Sequence, residues 1–366
     1  MNQKLRVGIL FGGRSAEHEV SLQSARSIIE AIDTQRFDVV LLGIDRDGRW
    51  FLNDETKVLF HNPAASPPEE PNREVAIVPS GKNSSLVELR SSKTLEALDI
   101  VFPVLHGPYG EDGTVQGLLK LANLPFVGAS VLGSSVGMDK DVMKRLLRDS
   151  GIQIAPFVIG TLGDNPTELV ERSIRELGLP LFVKPSNLGS SVGVSKAGSP
   201  AEVKDGVVDA FRYDTKIILE KNIVGREIEC SVLGNRDPIA SVAGEIKPNG
   251  DFYSYSAKYF DENGTELIIP ADIDDAVLRR VQDTSISAFK VLCCSGMARV
   301  DMFLSRNNEL IVNEINTIPG FTSISMYPKL WEASGLKFSN LITRLIELGM
   351  ERFAEESGLI SSYGSH

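Results

Sequence analysis

The polar residues best suited to chemistry lie in residues 297–325, where two apolar runs are joined by four residues of turn type. This pattern is typical of a β-hairpin. Since side chains alternate along a strand, Arg299 and Asp301 share one face of the first strand. Glu314 and Asn316 share one face of the second. If the two faces coincide, two carboxylates, an amide and a guanidinium converge, a set that suits Mg²⁺ holding a phosphate. The alternative is an edge hairpin with a solvated polar face.

The start of the chain predicts elements that would surround such a site. An apolar run at 5–11 ends in two glycines, a helix of 3.6-residue apolar period follows, and 37–44 is a second apolar run. We expect Ser21 to cap that helix. Strand, glycine turn, helix and strand begin a parallel α/β layer, whose ligand edge lies at the carboxyl ends of its strands. Glu17 lies at that edge, and His106 ends a third predicted strand.

The rest of the chain predicts further helices and strands. Pro166 and Gly178 frame one helix, and the apolar run at 180–185 predicts the strand behind it. The proline-rich residues 61–80 predict a surface excursion. The polar residues 247–270 are too long for an ordinary connection, so we expect a lid there.

Phosphate-binding fingerprints of the common kinds are absent, because the sequence contains neither G-x-G-x-x-G nor G-x-x-x-x-G-K-[ST]. Gly-Ser-Ser-Val-Gly at 189–193 lies between two strand-like runs, so its amides could cover phosphates from a hairpin. The same five letters recur at 133–137. Both copies also fit the G-x-S-x-G motif of serine hydrolases, which needs a strand entering and a helix leaving.

Two lysines and two acids point more clearly to a nucleotide. Lys184 ends an apolar strand and Lys140 begins a basic helix, and both could contact phosphates. The alternative for Lys184 is an aliphatic stem that lies along the sheet with its ammonium in water. The stretch from Glu220 to Glu227 could hold adenine and ribose, or could be a polar turn between strands.

Composition restricts the class of protein. At 366 residues the chain should form two or three domains. A net charge of −11 argues against nucleic acid or an anionic membrane as partner, since both bind basic surfaces. Three cysteines cannot make a disulfide framework. No apolar run reaches 18 residues and no signal peptide is recognisable, so we expect a cytoplasmic protein.

Several longer motifs together resemble the D-alanine–D-alanine ligase family of the ATP-grasp superfamily, from one end of the chain to the other. The motifs are GGRSAEHEVSLQSA (12–25), HGPYGEDGTVQG (106–117), MDKDVMKRLL (138–147), FVKPSNLGSSVGVSK (182–196), SAKYF (256–260), MARVD (297–301) and NEINTIPGFTSIS (313–325). The resemblance implies a mixed α/β and α+β chain with the ATP-grasp fold. Its units would be an N-terminal parallel α/β domain at 1–138, a central ATP-grasp subdomain at 139–222 and a C-terminal one at 223–366.

The resemblance also implies roles for individual residues. ATP would contact Lys140, Lys184, Ser190, Ser191, Glu220, Lys221, Ile223, Glu227, Lys258 and Asn313. Two Mg²⁺ or Mn²⁺ ions would be held by Asp301, Glu314 and Asn316. The two D-alanines would contact Glu17, His106, Arg299, Gly320, Ser325 and Met326. The catalytic groups would be Glu17, Ser190, Lys258, Tyr259, Arg299 and the Gly320 amide.

The implied activity is ATP-dependent ligation of two D-alanines through a D-alanyl phosphate, for bacterial cell-wall synthesis, by a homodimer. A lid carrying Lys258 and Tyr259 would close over the acyl phosphate, and Tyr259 and Ser190 would hydrogen-bond with Glu17. A ligase that takes D-lactate or D-serine as second substrate is the near alternative. A non-catalytic nucleotide sensor on the same fold is the distant one.

Overall fold

The computed structural model describes residues 4–53, 73–79, 85–248 and 265–360. Lys258 and Tyr259, with the middle of the predicted lid, lie outside these residues. Within the described ranges the chain forms three β-sheets, each covered by helices. No helix in the described ranges is both long and apolar enough to cross a membrane.

The first sheet has the strand order β6-β5-β4-β3-β2-β1-β7. Its strands are β1 (Leu5–Gly12), β2 (Phe37–Ile44), β3 (Trp50–Asn53), β4 (Arg73–Val78), β5 (Ser85–Glu88), β6 (Lys93–Thr94) and β7 (Ile100–Pro103). β1 pairs in parallel with β2 and β7, which confirms the predicted parallel start of this layer. From β2 to β6 the strands pair antiparallel, so the sheet as a whole is mixed. β1 and β7 are continuous apolar runs because both of their faces are buried.

Two local predictions in this part are wrong. Residues 73–78, predicted as surface excursion, form strand β4, in which Val75 and Ile77 are the buried side chains of an alternating pattern. Helix α1 (His18–Ala31) begins before Ser21, with Glu17 as its first flanking residue. Ser21 is buried inside the helix, where its hydroxyl accepts the Gly12 amide proton at 2.7 Å. Ser21 therefore hydrogen-bonds to the end of β1 and does not cap α1.

The second sheet is antiparallel, in the order β10-β9-β11-β8. Its strands are β8 (Phe157–Thr161), β9 (Leu181–Pro185), β10 (Ser195–Ala197) and β11 (Lys216–Lys221). The helices up to this point are α2 (Thr114–Leu121), α3 (Val131–Met138), α4 (Lys140–Asp149), α5 (Pro166–Leu177) and α6 (Pro200–Ala210). Residues 133–137 lie within α3, whereas residues 189–193 connect β9 to β10. Neither copy of the motif joins a strand to a helix, so the serine hydrolase interpretation fails.

The third sheet has the order β14-β13-β12-β15-β16 and is antiparallel. Its strands are β12 (Gly225–Gly234), β13 (Ile239–Pro248), β14 (Thr265–Ile268), β15 (Gly296–Ser305) and β16 (Leu310–Asn316). The remaining helices are α7 (Asp275–Val291), α8 (Met326–Ala333) and α9 (Phe338–Ser357). Residues 247–248 and 265–268 of the predicted lid at 247–270 are strand, where β13 pairs with β14 and Lys247 lies opposite Glu266.

The C-terminal part of the chain returns to the first sheet. Leu341, Ile342 and Leu345 of α9 are fully buried in one core with Val7 and Ile9 of β1. The chain between β16 and α8 enters the same core, where the rings of Phe321 and Phe102 meet edge to face at 5.8 Å. This packing places the end of the third sheet against the carboxyl edge of the first.

Candidate active site

The hairpin of β15 and β16 brings its four polar residues onto one face, as predicted. Arg299 lies opposite Asn316, and Asp301 lies opposite Glu314. Most of this face is shielded from water, because the side chains of Arg299 and Asp301 are only 8% and 14% exposed and that of Glu314 is 27% exposed. Two carboxylates directly opposite one another destabilise a strand pair unless a cation lies between or beside them. The solvated edge hairpin is therefore excluded.

Arg299 is held by two carboxylates. Its Nε and Nη2 each donate to Asp301 at 2.7 Å, and its Nε lies 2.8 Å from a carboxylate oxygen of Glu229. Burial by itself lowers the pKa of Arg299, but the charges of Asp301 and Glu229 outweigh it and hold that pKa well above its ordinary value. Glu229 lies on β12 opposite Asp301, and the sequence analysis missed it. The sequence feature that points to Glu229 is an acidic residue within an apolar strand pattern.

We expect Glu229→Gln to lower kcat about tenfold while the KM for ATP stays within about twofold. If Asp301 binds a metal ion, the charge that it offers Arg299 is weakened, and Glu229 becomes the main counter-charge of the guanidinium. Steady-state phosphate release measures both constants. Glu245→Gln, at the carboxylate that pairs with Arg226 on the same sheet, is the matched control. Equal effects of the two substitutions on kcat would contradict the role given to Glu229.

The donor set opposite Arg299 fits a hard divalent cation. Asp301 and Glu314 supply carboxylate oxygens and Asn316 supplies an amide, which are ligand types that Mg²⁺ prefers. In this structure the Asn316 amide donates to Asp301 at 2.9 Å, and the Lys140 ammonium lies 3.4 Å from Glu314. The Asn316 amide hydrogen and the Lys140 ammonium thus lie beside these two carboxylates, where a bound metal ion would also reduce the repulsion between them. Among the described residues no group of three His, Cys, Asp or Glu side chains is arranged to hold a metal ion by itself.

A cavity of about 340 Å³ lies between the second and third sheets and opens onto this hairpin. It is lined by most of the residues predicted for ATP and metal, namely Lys140, Lys184, Ser190, Ser191, Glu220, Lys221, Ile223, Glu227, Asp301, Asn313 and Glu314. Residues from strands that are far apart in sequence therefore converge on one space. Their individual contacts with ATP remain predictions.

A buried chain of charges forms the floor of that cavity. Glu220 pairs with Lys144 at 2.5 Å and with Lys184 at 2.6 Å, and Lys144 also donates to the Asn313 carbonyl at 2.9 Å. Burial lowers the pKa of Lys144, although Glu220 opposes it. For Lys184 burial acts in the same sense, but the charge of Glu220 dominates and raises the pKa. Lys144, which the sequence analysis missed, thus joins β11 to β16 of the hairpin.

Glu17 of the first sheet meets the loop at 189–193. The Ser190 hydroxyl donates to the Glu17 carboxylate, and a Cβ placed on Gly189 would lie 3.2 Å from the same carboxylate. Ser190 and Ser191 have φ of +50° and +59°, a left-handed conformation that is uncommon for residues other than glycine. Strain of this kind concentrates at functional sites. Tyr259, the third predicted member of this group, lies outside the described residues.

The remaining predicted substrate contacts lie around the chain that follows β16. A Cβ on Gly320 would lie 2.7 Å from the Ser325 hydroxyl, so a larger residue would displace that group. Ser325 accepts the Thr322 amide proton at 3.0 Å, and Met326 is buried at the start of α8. His106 is 4% exposed and lies behind the same segment. Their contacts with D-alanine remain predictions.

Glu111 is a further residue that the sequence analysis missed. Its carboxylate accepts the amide protons of Gly107 at 2.7 Å and Ile318 at 3.2 Å. Burial, and then the nearby charge of Glu17, raise the pKa of Glu111 to about 8. An acid in a glycine-rich loop at the carboxyl edge of β7 was the only sequence signal for it.

Comparison with known proteins gives the same family at the level of sequence and of structure. Family models described as D-ala D-ala ligase N-terminus and C-terminus match residues 6–129 and 146–347. A relative from Shouchella clausii, named D-alanine--D-alanine ligase, is 54% identical over 361 residues, 98% of each chain.

Two solved structures are similar over nearly the whole chain. The D-alanine-D-alanine ligase from Coxiella burnetii superposes with a TM-score of 0.86 at 41% identity, over 97% of this chain and 96% of that one. The VanG D-Ala:D-Ser ligase from Enterococcus faecalis superposes with a TM-score of 0.83 at 35% identity, over 95% of this chain and all of that one.

Proposed function

Because the chain belongs to the D-alanine–D-alanine ligase family, we propose that it joins two D-alanines into D-alanyl-D-alanine and converts ATP to ADP and phosphate through a D-alanyl phosphate. The chain is a ligase with the ATP-grasp fold, and its product serves bacterial cell-wall synthesis. The observation that best supports the proposed chemistry is the buried face on which Arg299, Asp301, Glu314 and Asn316 meet beside the 340 Å³ cavity.

The first half of the reaction needs a carboxylate to attack the γ-phosphate. A carboxylate is a poor electrophile, and phosphorylation gives it a leaving group. Lys140 and Lys184, whose ammonium groups line the cavity, would hold the phosphates, and Glu17 would hold the ammonium of the first D-alanine. Two Mg²⁺ or Mn²⁺ ions at Asp301, Glu314 and Asn316 would neutralise the phosphate charge during transfer.

The second half needs an oxyanion site. When the amine of the second D-alanine attacks the acyl phosphate, the carbonyl oxygen becomes negatively charged. Arg299, which is fixed by its two carboxylate partners, and the Gly320 amide would donate to that oxygen. A pre-positioned donor of this kind stabilises the transition state by about 3–4 kcal/mol. The phosphate then leaves with the electron pair of the broken C–O bond, and the proton that the amine loses passes to this phosphate.

The proposed units at 1–138, 139–222 and 223–366 each contain the strands of one sheet, which supports this division. The lid carrying Lys258 and Tyr259 would exclude water from the acyl phosphate, which hydrolyses readily. The roles of these two residues, the homodimer and the cytoplasmic location remain predictions.

We expect MgATP to release phosphate when D-alanine is present and not when L-alanine replaces it, because Glu17 and Arg299 would fix the ammonium and carboxyl of one enantiomer. A coupled phosphate assay, with D-serine and D-lactate as further acceptors beside D-alanine, is the direct measurement. Equal turnover of both alanine enantiomers would contradict the stereochemical assignment. If no combination of acceptors led to phosphate release, the result would instead favour a nucleotide sensor. Faster turnover with D-serine or D-lactate as second substrate would favour the near alternative.

A further inference from the structure

The segment at 317–321, here called the post-hairpin loop, carries the Gly320 amide and is hydrogen-bonded by Glu111, Ser24 and His106. Of these three residues, only His106 is also predicted to contact D-alanine. Ile318 and Phe321 anchor it in the core beside Phe102. Apolar packing fixes the position of a loop, but hydrogen bonds to its backbone fix the orientation of its peptide planes. The direction of the Gly320 amide depends on those planes.

The first hydrogen bond comes from Glu111. One carboxylate oxygen accepts the Ile318 amide proton at 3.2 Å, and the other accepts the Gly107 amide proton at 2.7 Å. Glu111 therefore links the loop after β7 to the post-hairpin loop, across 207 residues of sequence. Each of the two Glu111 oxygens accepts one backbone amide proton. A glutamine, which has one acceptor oxygen, therefore cannot make both hydrogen bonds.

Two further hydrogen bonds come through His106 and Ser24. The Phe321 amide donates to the Ser24 hydroxyl oxygen at 3.1 Å, and that oxygen lies 3.3 Å from Nε2 of His106. Nδ1 of His106 lies 3.0 Å from the Ile318 carbonyl oxygen. A carbonyl oxygen only accepts, so Nδ1 carries a proton and donates to Ile318, while Nε2 forms the contact with the Ser24 hydroxyl.

We propose that Glu111, Ser24 and His106 are positioning residues that hold the post-hairpin loop by the amide and carbonyl of Ile318 and the amide of Phe321, so that the Gly320 amide points at the developing oxyanion. Gly320 lies between the two fastened residues and is itself half-buried. The inference rests on the proposed function, because it assigns these residues to the second half of that reaction alone.

The two half-reactions give a test that a general loss of structure would not pass. If the Gly320 amide is misdirected, the D-alanyl phosphate still forms, but attack by the second D-alanine slows and water competes for the intermediate. Phosphate release should then exceed dipeptide formation. A variant that is merely less stable would lose both products in the same proportion.

We expect Glu111→Gln to lower kcat for dipeptide formation about 10- to 100-fold and Ser24→Ala about 10-fold, since small misplacements of reacting groups have effects of that size. The KM for ATP should stay within about twofold, and phosphate release should exceed dipeptide formation in both variants. The double variant should be less impaired than the product of the two single effects, because both substitutions release one loop. Ser27→Ala is the matched control, since Ser27 lies on the same helix and its hydroxyl donates to the Gln23 carbonyl within that helix.

Wild-type kcat and equal yields of phosphate and dipeptide in both single variants would overturn the inference, and so would a loss of activity in which the two yields remain equal. If Glu111→Gln does not fold, Ser24→Ala decides by the same ratio of products. Failure of the wild-type protein to form any dipeptide would instead reject the proposed function, so the two failures are distinguishable.

Discussion

Glu314→Gln is expected to lower dipeptide formation by several orders of magnitude and to leave the fold intact. The substitution removes one of the two carboxylates in the proposed metal set while preserving side-chain volume. An amide oxygen is a weaker ligand than a carboxylate for a hard cation, so the apparent affinity for Mg²⁺ should fall as well. Titration of activity with Mg²⁺ at saturating ATP and D-alanine measures both effects.

Stability separates this effect from unfolding. Glu314 lies opposite Asp301, and two like charges at that position repel one another. Its ion pair with Lys140, at 3.4 Å and partly exposed, is expected to contribute no more than about 1 kcal/mol. The unfolding temperature of the metal-free variant should therefore equal or exceed that of the wild type. Glu309→Gln, in the exposed turn of the same hairpin, is the control and should keep wild-type activity. Near-normal turnover of Glu314→Gln at ordinary Mg²⁺ would show that the hairpin is not the metal site.

Arg299→Lys is expected to lower kcat about 100- to 1,000-fold, which is the size of effect seen when one pre-positioned oxyanion donor is lost. A lysine keeps the charge, but it has one ammonium group where the guanidinium spans Asp301 and Glu229 with a planar set of donors. The KM for ATP should change little, since Arg299 does not line the nucleotide cavity. Initial rates at varied ATP give both constants.

The control for this substitution is Arg226→Lys. Arg226 also lies on the third sheet and donates to both oxygens of Glu245, at 2.9 and 2.7 Å, but its side chain is 39% exposed and remote from the hairpin face. The Arg226→Lys variant should be somewhat less stable than the wild type and should keep the wild-type kcat. If Arg299→Lys changed kcat no more than Arg226→Lys does, the oxyanion assignment would be contradicted.

Local sequence pattern was enough to predict the hairpin face and most of the individual elements. Strand alternation placed Arg299 with Asp301 and Glu314 with Asn316, because the side-chain period of two is a property of a single strand. Helix α5 has its predicted Pro166 start, and Gly178 follows its end, since backbone geometry at those positions depends on neighbouring residues alone. The shared face of Asp301, Glu314 and Asn316 is a local feature of this kind, whereas their role as metal ligands stays a prediction.

Tertiary structure alone decided which distant segments meet. The alternating pattern of residues 73–78 is too short to show that they form a strand inside the first sheet. Ser21 does not cap α1, because its hydroxyl accepts the buried Gly12 amide proton at the end of β1. Glu229, Lys144 and Glu111 act on partners contributed by other strands and loops, and no spacing along the chain encodes such a contact. A sequence determines the faces of its own elements, whereas the pairing of those faces depends on which packing buries the most apolar surface and satisfies every buried polar group.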